Sequence, residues 1–247
     1  MTDQWQFFPC SMGDDQAFIF VDEGAHKTIS DAPELLARIR LTYKDPHPNG
    51  LPKDSEFEIV SNLEDKIQSY STKNGDWYVG RVTVSGYRFF YIYSSLSEKL
   101  WDEFISKLCS ESDYEIMVSF RDDPDHKGYW DELYPTADDW QVIGDLRVIE
   151  NLEKDGDDGS MPRKIDHWTY FLSKNSAQPF IDWAIQNSYV HEQEHSHVTD
   201  DDKYCVRLSH NGTVKLGDIS SHTIALRRKA TELDGEYDGW ETEIIKN

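Results

Sequence analysis

The sequence predicts an α+β protein built from two antiparallel sandwiches that are joined by a helix. Stretches with strand periodicity alternate with stretches of helical periodicity along the 247 residues, and turn-forming Gly, Pro and Asn residues separate them. The order of these stretches in the first half recurs in the second half. Hydrophobic residues make up 38% of the chain, which is enough for two cores. We therefore predict one domain over residues 1–134 and a second over residues 135–247.

The first half begins with an apolar run over residues 17–21 and a strand over residues 35–43. In that strand, apolar residues from Leu35 to Leu41 alternate with polar ones, as on a sheet with one buried face. The breaker sequence PHPNGLP then ends the strand. A helix over residues 54–70 follows. Its apolar side chains recur every three or four residues: Phe57, Val60, Leu63, Ile67 and Tyr70.

A hairpin and a second helix complete the first half. Residues 77–84 and 87–93 are rich in β-branched and aromatic side chains, and the dipeptide Ser-Gly between them suits a two-residue turn. Ser95 and Glu98 have the spacing of a capping box, which predicts a helix N-terminus there. A last strand is expected over residues 114–120. The inner face of this second helix is predicted to hold Leu96, Leu100, Phe104 and Leu108.

A helix over residues 136–154 is predicted to join the two halves. Thr136 and Asp139 have capping-box spacing at its start. The glycine-containing segment 155–163 follows it as a loop. The apolar stripe of this helix is predicted to be Val142, Leu146 and Ile149.

The second half repeats the order of the first. Strands are predicted over residues 165–172, 189–197, 203–209 and 236–245. Each half thus has the order βαββαβ, which predicts two ferredoxin-like sandwiches, each with two helices on one face of an antiparallel sheet. The two helices of the second half are predicted from the apolar faces Phe180, Trp183, Ala184 and Asn187, and Ile219, Leu226, Ala230 and Leu233.

The charge balance disfavours several classes of partner. The chain has 47 acidic and 25 basic side chains, a formal charge of −22 that both halves share. Such a surface repels nucleic-acid phosphates and anionic membranes. The three cysteines lack CxxC spacing, and the chain has neither a secretory leader pattern nor an apolar run of about 18 residues. We therefore expect a cytoplasmic protein with free thiols that binds neither nucleic acid nor membrane directly.

One motif could carry catalysis. His191, Glu192 and His195 have the H-E-x-x-H spacing that, on a helix, places two zinc ligands beside a carboxylate base. Here the segment is predicted to be a strand, on which His191, His195 and His197 would line one polar face. A metal-dependent hydrolase stays open as an alternative function. We assign no catalytic residue, no metal ligand and no cofactor.

Acidic loops and an aromatic segment near the C-terminus are the candidate partner-binding elements. The loop DGDDGS lacks the ligand spacing of a calcium loop, and the aspartates at 200–202 are predicted to form a hairpin turn. In the sequence Tyr-Asp-Gly-Trp, glycine can bend the strand, and the tryptophan can anchor either a core edge or a partner. The predicted partner-binding residues are Asp155, Asp157, Asp158, Asp200, Asp201, Asp202, Tyr237, Asp238 and Trp240.

Several segments of the second half resemble a known family. They are LEKDGDDGS before a strand, the short helix with its acidic hairpin, and GEYDGWET at residues 235–242. Over residues 136–245 the chain resembles the regulator of ribonuclease E activity B (RraB) family. This resemblance implies a non-catalytic, acidic, ferredoxin-like protein that binds ribonuclease E and restrains its cleavage of RNA. The acidic surface would then meet an arginine-rich segment of the nuclease.

The first half resembles the domain of unknown function 695. The residues that carry this resemblance are YVGRVT at 78–83, Gly86, FFY at 89–91, Trp130 and LYP at 133–135. That family implies no activity for this half. A small-ligand or stress-related binding module stays open as a third function.

Overall fold

The computed structural model describes residues 2–246. Its Cα positions separate into two compact units, Met1–Thr136 and Ala137–Asn247, which we call the N-terminal unit and the C-terminal unit. Each unit contains one antiparallel sheet together with helices, so the chain is an α+β protein, as predicted. No helix within residues 2–246 has both the length and the apolar character needed to cross a bilayer.

The N-terminal unit has six strands and three helices within its described residues. In chain order they are β1 (Trp5–Met12), β2 (Asp15–Asp22), β3 (Leu35–Thr42), α1 (Asp54–Lys73), β4 (Trp77–Val84), β5 (Tyr87–Ser94), α2 (Glu98–Ser112), β6 (Ile116–Asp122) and α3 (Lys127–Trp130). The strands form one antiparallel sheet in the order β1-β2-β4-β5-β3-β6. Helices α1 and α2 share one core with β3, β4, β5 and β6, so both lie on the same face of the sheet.

The β1-β2 hairpin is an addition to the predicted order of elements. The sequence predicts an apolar run over residues 17–21 but no strand before it. Residues 5–12 pair with residues 15–22, and β2 then extends the sheet beside β4. Of the side chains in β1, Phe8 is buried and the others are half-buried or exposed, so β1 lacks the alternation that would have predicted it.

Two predicted helix features of the N-terminal unit differ from the structure. Phe57 of α1 is 62% exposed and Leu100 of α2 is 43% exposed. Helix α2 begins after Ser97, whose side chain makes no capping hydrogen bond, so the capping box predicted from Ser95 and Glu98 does not form. The buried apolar side chains are Val60, Leu63 and Ile67 in α1, and Trp101, Ile105 and Leu108 in α2.

The C-terminal unit has five strands and three helices within its described residues. They are α4 (Ala137–Lys154), β7 (Arg163–Phe171), α5 (Lys174–Gln186), β8 (Val190–His191), β9 (His197–Val198), β10 (Tyr204–Gly212), α6 (Leu216–Glu232) and β11 (Glu236–Thr242). The sheet order is β11-β7-β10-β8, and β9 also pairs with β10. The predicted joining helix is α4, which lies within this unit. Helix α4 buries Ile143 and Leu152, whereas the predicted Val142 and Leu146 are half-buried.

Alternation along β7 separates the two faces of the C-terminal sheet. Every second residue from Ile165 to Phe171 is buried. Helices α5 and α6 cover this buried face, and α4 contributes to a second cluster on it. The buried apolar side chains of the two clusters include Ile165, Phe171, Phe180, Ala184, Leu208, Ile219, Leu226 and Trp240.

The predicted continuous strand over residues 189–197 is wrong. The chain instead forms β8, a 3-10 turn at Gln193–His195, and β9. Before the turn, the backbone N–H of Glu192 donates to the Arg207 carbonyl at 3.0 Å, and after it the Arg207 N–H donates to Ser196 Oγ at 3.0 Å. The segment therefore bulges away from β10 between these two contacts, so its histidines do not share one strand face.

Candidate partner-binding surface

The C-terminal sheet has an outer face, opposite the one that α5 and α6 cover, and this face is polar and aromatic. Because strand side chains alternate, the residues between the buried positions of β7 point to it. Arg207 of β10 pairs directly with Trp168 of β7 and points the same way. We define the outer face by Lys164, Asp166, Trp168, Tyr170 and Arg207.

Ion pairs hold this outer face in place. Arg207 Nη2 lies 2.8 Å from Asp166 Oδ2, and the Arg207 guanidinium carbon lies 5.1 Å from the centre of the Trp168 ring. Lys164 Nζ lies 2.7 Å from Glu192 Oε1. The Asp166 carboxylate raises the pKa of Arg207, and hydrogen bonding to Lys164 lowers the pKa of Glu192. The outer face therefore presents a fixed arginine–tryptophan stack.

The H-E-x-x-H residues do not form the helix that a zinc site of this spacing requires. His191 Nε2 lies 3.2 Å from Ser196 Oγ, and Ser209 Oγ donates a hydrogen bond to Glu192 Oε1 at 2.7 Å. His195 is exposed at the end of the 3-10 turn. Within residues 2–246, no group of three or more His, Cys, Asp or Glu side chains is arranged to hold a metal ion. Glu192 instead links two strands of the sheet, because it accepts a hydrogen bond from Ser209 of β10 and pairs with Lys164 of β7.

The two predicted acidic loops lie at opposite ends of the sheet. The loop with the exposed Asp155 and Asp158 precedes the first residue of β7. The turn with residues 200–202 precedes Tyr204, which pairs with the last residue of β7, Phe171. The nine residues of this strand span about 30 Å. The structure therefore does not bring the predicted acidic residues into one patch.

Asp157, one of the predicted partner-binding residues, is buried. Its side chain and that of Arg163 are fully buried, and Arg163 Nη2 donates to Asp157 Oδ1 at 2.9 Å. The backbone N–H groups of Gly159 and Ile245 also donate to this carboxylate, each at 2.9 Å. The hydrogen bond from Arg163 and these N–H groups hold the pKa of Asp157 well below its usual range. Asp157 therefore ties the loop to β7 and to the chain after β11.

The predicted residues of β11 divide between the core and the surface. Trp240 is 8% exposed, and its Nε1 donates to Asp145 Oδ1 at 2.9 Å. Tyr237 is half-buried and packs against the core of α5 and α6, whereas Asp238 is exposed. The pairing of β11 with β7 shifts between Tyr237 and Gly239, which makes a bulge at Asp238. Trp240 therefore lies at an edge of the core in this structure, and Tyr237 is half-buried.

A buried relay of histidines and tyrosines was not predicted. Tyr237 Oη lies 2.8 Å from His167 Nδ1, and His167 Nε2 lies 2.9 Å from His210 Nδ1. The rings of His210 and His222 stack with centres 3.8 Å apart, and His222 Nδ1 lies 2.8 Å from Tyr189 Oη. Burial lowers the pKa of all three histidines, and burial together with the nearby His222 lowers that of His210 to about 4.

The sequence contains a signal for this relay. In β7, His167 lies two residues from Ile165 and four from Phe171, so it shares their inward face. In β10, His210 lies two residues from Leu208 and shares its inward face. A histidine at an inward strand position must find a polar partner in the core. The core positions of His167 and His210 could therefore have been predicted from this alternation.

Comparisons with known proteins give two family matches. Residues 143–242 match the model of the family "Regulator of ribonuclease activity B" (RraB). Residues 3–134 match the model of the "Family of unknown function (DUF695)". Both matches agree with the resemblances of the two halves. No curated protein matches the chain.

Two solved structures are similar to the chain at a low level. One is described as a "putative glycine cleavage system transcriptional repressor", with 9% identity, a TM-score of 0.25, and coverage of 85% of this chain and 98% of the other. The second is an unknown protein from Galdieria sulphuraria, with 8% identity, a TM-score of 0.23, and coverage of 85% and 99%. Neither likeness is close enough to support a conclusion. The chain belongs to the DUF695 family through residues 3–134, and its residues 143–242 match the RraB family.

Proposed function

We propose that the C-terminal unit binds a ribonuclease of the ribonuclease E type and restrains its cleavage of RNA, without itself catalysing a reaction. The match of residues 143–242 to a family of ribonuclease regulators is the observation that carries this proposal. We also propose that residues 1–134 and 135–247 act as two domains of one cytoplasmic protein.

The strand orders support a ferredoxin-like design for both domains. In the C-terminal unit the order is β11-β7-β10-β8, with α5 and α6 on one face. In the N-terminal unit the same βαββαβ order occurs as β4-β5-β3-β6 within the larger sheet, with α1 and α2 on one face. This is the connectivity of a split βαβ sandwich. We propose that it leaves the outer face of the C-terminal sheet available to a partner.

The charge supports a basic protein partner over RNA itself. At −22 the chain repels phosphate groups and attracts cationic segments. Electrostatic attraction of this kind raises the association rate, while the lifetime of a complex depends on packed anchors. A regulator that binds the nuclease protein can therefore limit RNA cleavage without competing for the RNA backbone.

The outer face has the composition of a binding hot spot. Trp, Tyr and Arg are the residue types that most often dominate interface energies, and Trp168, Tyr170 and Arg207 lie together there. The stack of Arg207 on Trp168 limits side-chain motion before binding, which lowers the entropy cost of association. We propose that this face, and not the acidic loops at the sheet ends, anchors the ribonuclease.

Trp168→Ala is expected to weaken binding of the full chain to ribonuclease E by about tenfold or more, because it removes the largest aromatic side chain of the outer face. Isothermal titration against the purified nuclease measures this change. Trp130→Ala is the matched control, since Trp130 is a 41% exposed tryptophan of the N-terminal unit. Equal losses in the two variants, or no loss in Trp168→Ala with the fold intact, would contradict the assignment of the outer face.

A further inference from the structure

A cleft opens at the edge of the C-terminal sheet, where β11 bulges. It has a volume of about 440 Å³ and is lined by residues of α4, β7 and β11. Gly144 of α4 and Gly239 of β11 both line it, and a methyl group added at either position would meet no atom within 4 Å. At Gly239 the backbone φ is +138°, a conformation that favours glycine. Both glycines therefore border open space.

Trp168 forms an aromatic wall of this cleft. In the sheet it lies between two directly paired neighbours, Arg207 of β10 and Gly239 of β11. The Arg207 guanidinium covers one face of the ring, with its carbon 5.1 Å from the ring centre. On the β11 side, Gly239 has no side chain to cover it. Tyr170 and Trp240 also line the cleft, so three of its ten lining residues are aromatic.

The charged residues that line the cleft are all acidic. Asp238 and Glu241 line the cleft from β11 and are exposed, and Glu241 Oε1 lies 4.0 Å from Arg207 Nη2. Asp145 lines it from α4 and is 1% exposed. The hydrogen bonds to Asp145 come from neutral donors of four residues: Gln141 Nε2 at 3.0 Å, Ser220 Oγ at 2.8 Å, Thr223 Oγ1 at 2.7 Å and Trp240 Nε1 at 2.9 Å. An anionic guest would be repelled by these carboxylates, and a neutral apolar guest would desolvate them without compensation.

We propose that this cleft binds an arginine side chain of the protein partner. Its guanidinium would stack on the face of Trp168 opposite Arg207, and it would donate to the carboxylates of Asp238 and of Glu241, which also faces Arg207. A planar guanidinium combines stacking with several hydrogen bonds, which a lysine ammonium does not match. The proposal rests on the proposed function only for the identity of the protein that carries the arginine.

The test uses the full chain labelled with ¹⁵N and a blocked hexapeptide of alternating arginine and glycine. The control is the same peptide with each arginine replaced by citrulline, whose side chain keeps the planar shape but carries no charge. Trp168→Phe identifies the indole signal of Trp168 among the eight tryptophans. We expect the arginine peptide to shift the Trp168 indole and Gly239 amide signals saturably, with at least about tenfold weaker binding of the citrulline peptide.

Two double variants separate the cleft from the general acidity of the chain. The double variant Asp238→Asn, Glu241→Gln is expected to lower the affinity for the arginine peptide by about tenfold. The double variant Asp155→Asn, Asp200→Asn removes the same amount of charge elsewhere and should change this affinity by less than about twofold. Equal binding of both peptides, equal losses in both double variants, or no response at Trp168 and Gly239 would each overturn the proposal. Because this test contains no nuclease, a saturable arginine-specific response would uphold the cleft even if ribonuclease E itself fails to bind.

Discussion

Asp157→Ala is expected to lower the free energy of unfolding of the C-terminal unit by about 3–5 kcal/mol, because it leaves a buried guanidinium without its counter-charge. The side chains of Asp157 and Arg163 are both fully buried, so water cannot replace the lost partner. The substitution also removes the acceptor for the N–H groups of Gly159 and Ile245. Hydrogen exchange of the β7 and β10 amides in the full chain measures the stability of this unit alone.

Asp155→Ala is the matched control for this prediction. Asp155 lies two residues away in the same loop and is exposed, so its removal should change the stability by less than about 0.5 kcal/mol. A loss in Asp157→Ala no larger than that in Asp155→Ala would contradict the structural role of the buried ion pair.

The second large effect is expected on acidification. The folded unit lowers the pKa of His210 to about 4 and also lowers those of His167 and His222, whereas unfolded histidine titrates near pH 6.5. Between these pH values the unfolded chain binds more protons than the folded chain. The contribution of the neutral histidines to the free energy of unfolding is therefore fully present above about pH 6.5 and is lost as the pH falls toward 4. For His210 alone the loss is about 3 kcal/mol.

The contribution of the histidine relay to stability is lost in a different pH range from that of the carboxylates. Asp157 and Glu192 also have lowered pKa values, but their contributions disappear only below about pH 4, the range where unfolded carboxyl groups become protonated. In hydrogen-exchange measurements between about pH 6.5 and pH 4.5, His210→Gln should flatten the pH dependence. The exposed His197→Gln should leave it unchanged. A wild-type stability that stays constant across this window would contradict the role assigned to the relay.

Element type could be predicted well where the periodicity was strong. The hairpin of β4 and β5 and the helices α1, α5 and α6 follow from regular apolar spacing and a clear turn dipeptide. Strand β1 could not be predicted in this way, because it is an edge strand with few buried side chains. The bulge between β8 and β9 was missed for a different reason. A hydrogen bond between Ser196 and the distant Arg207 determines where the chain rejoins β10.

The candidate site was less accessible to sequence analysis than the fold. Acidic loops are conspicuous in a sequence, but β7 separates the two loops, and the burial of Asp157 depends on Arg163 and on the chain after β11. The outer face could have been predicted from the alternation along β7, because Trp168 and Tyr170 occupy its outward positions. The cleft at Gly239 depends on the bulge and on the position of α4, which no local pattern specifies.

The most direct test of the account is a titration of the full chain against ribonuclease E from the same source, with RNA cleavage measured in parallel. Saturable binding that slows cleavage and weakens between about 50 and about 300 mM salt is the predicted result, since salt screens the attraction between the acidic chain and a basic segment. An absence of binding at the lower salt concentration, or binding that leaves cleavage unchanged, would contradict the proposed function.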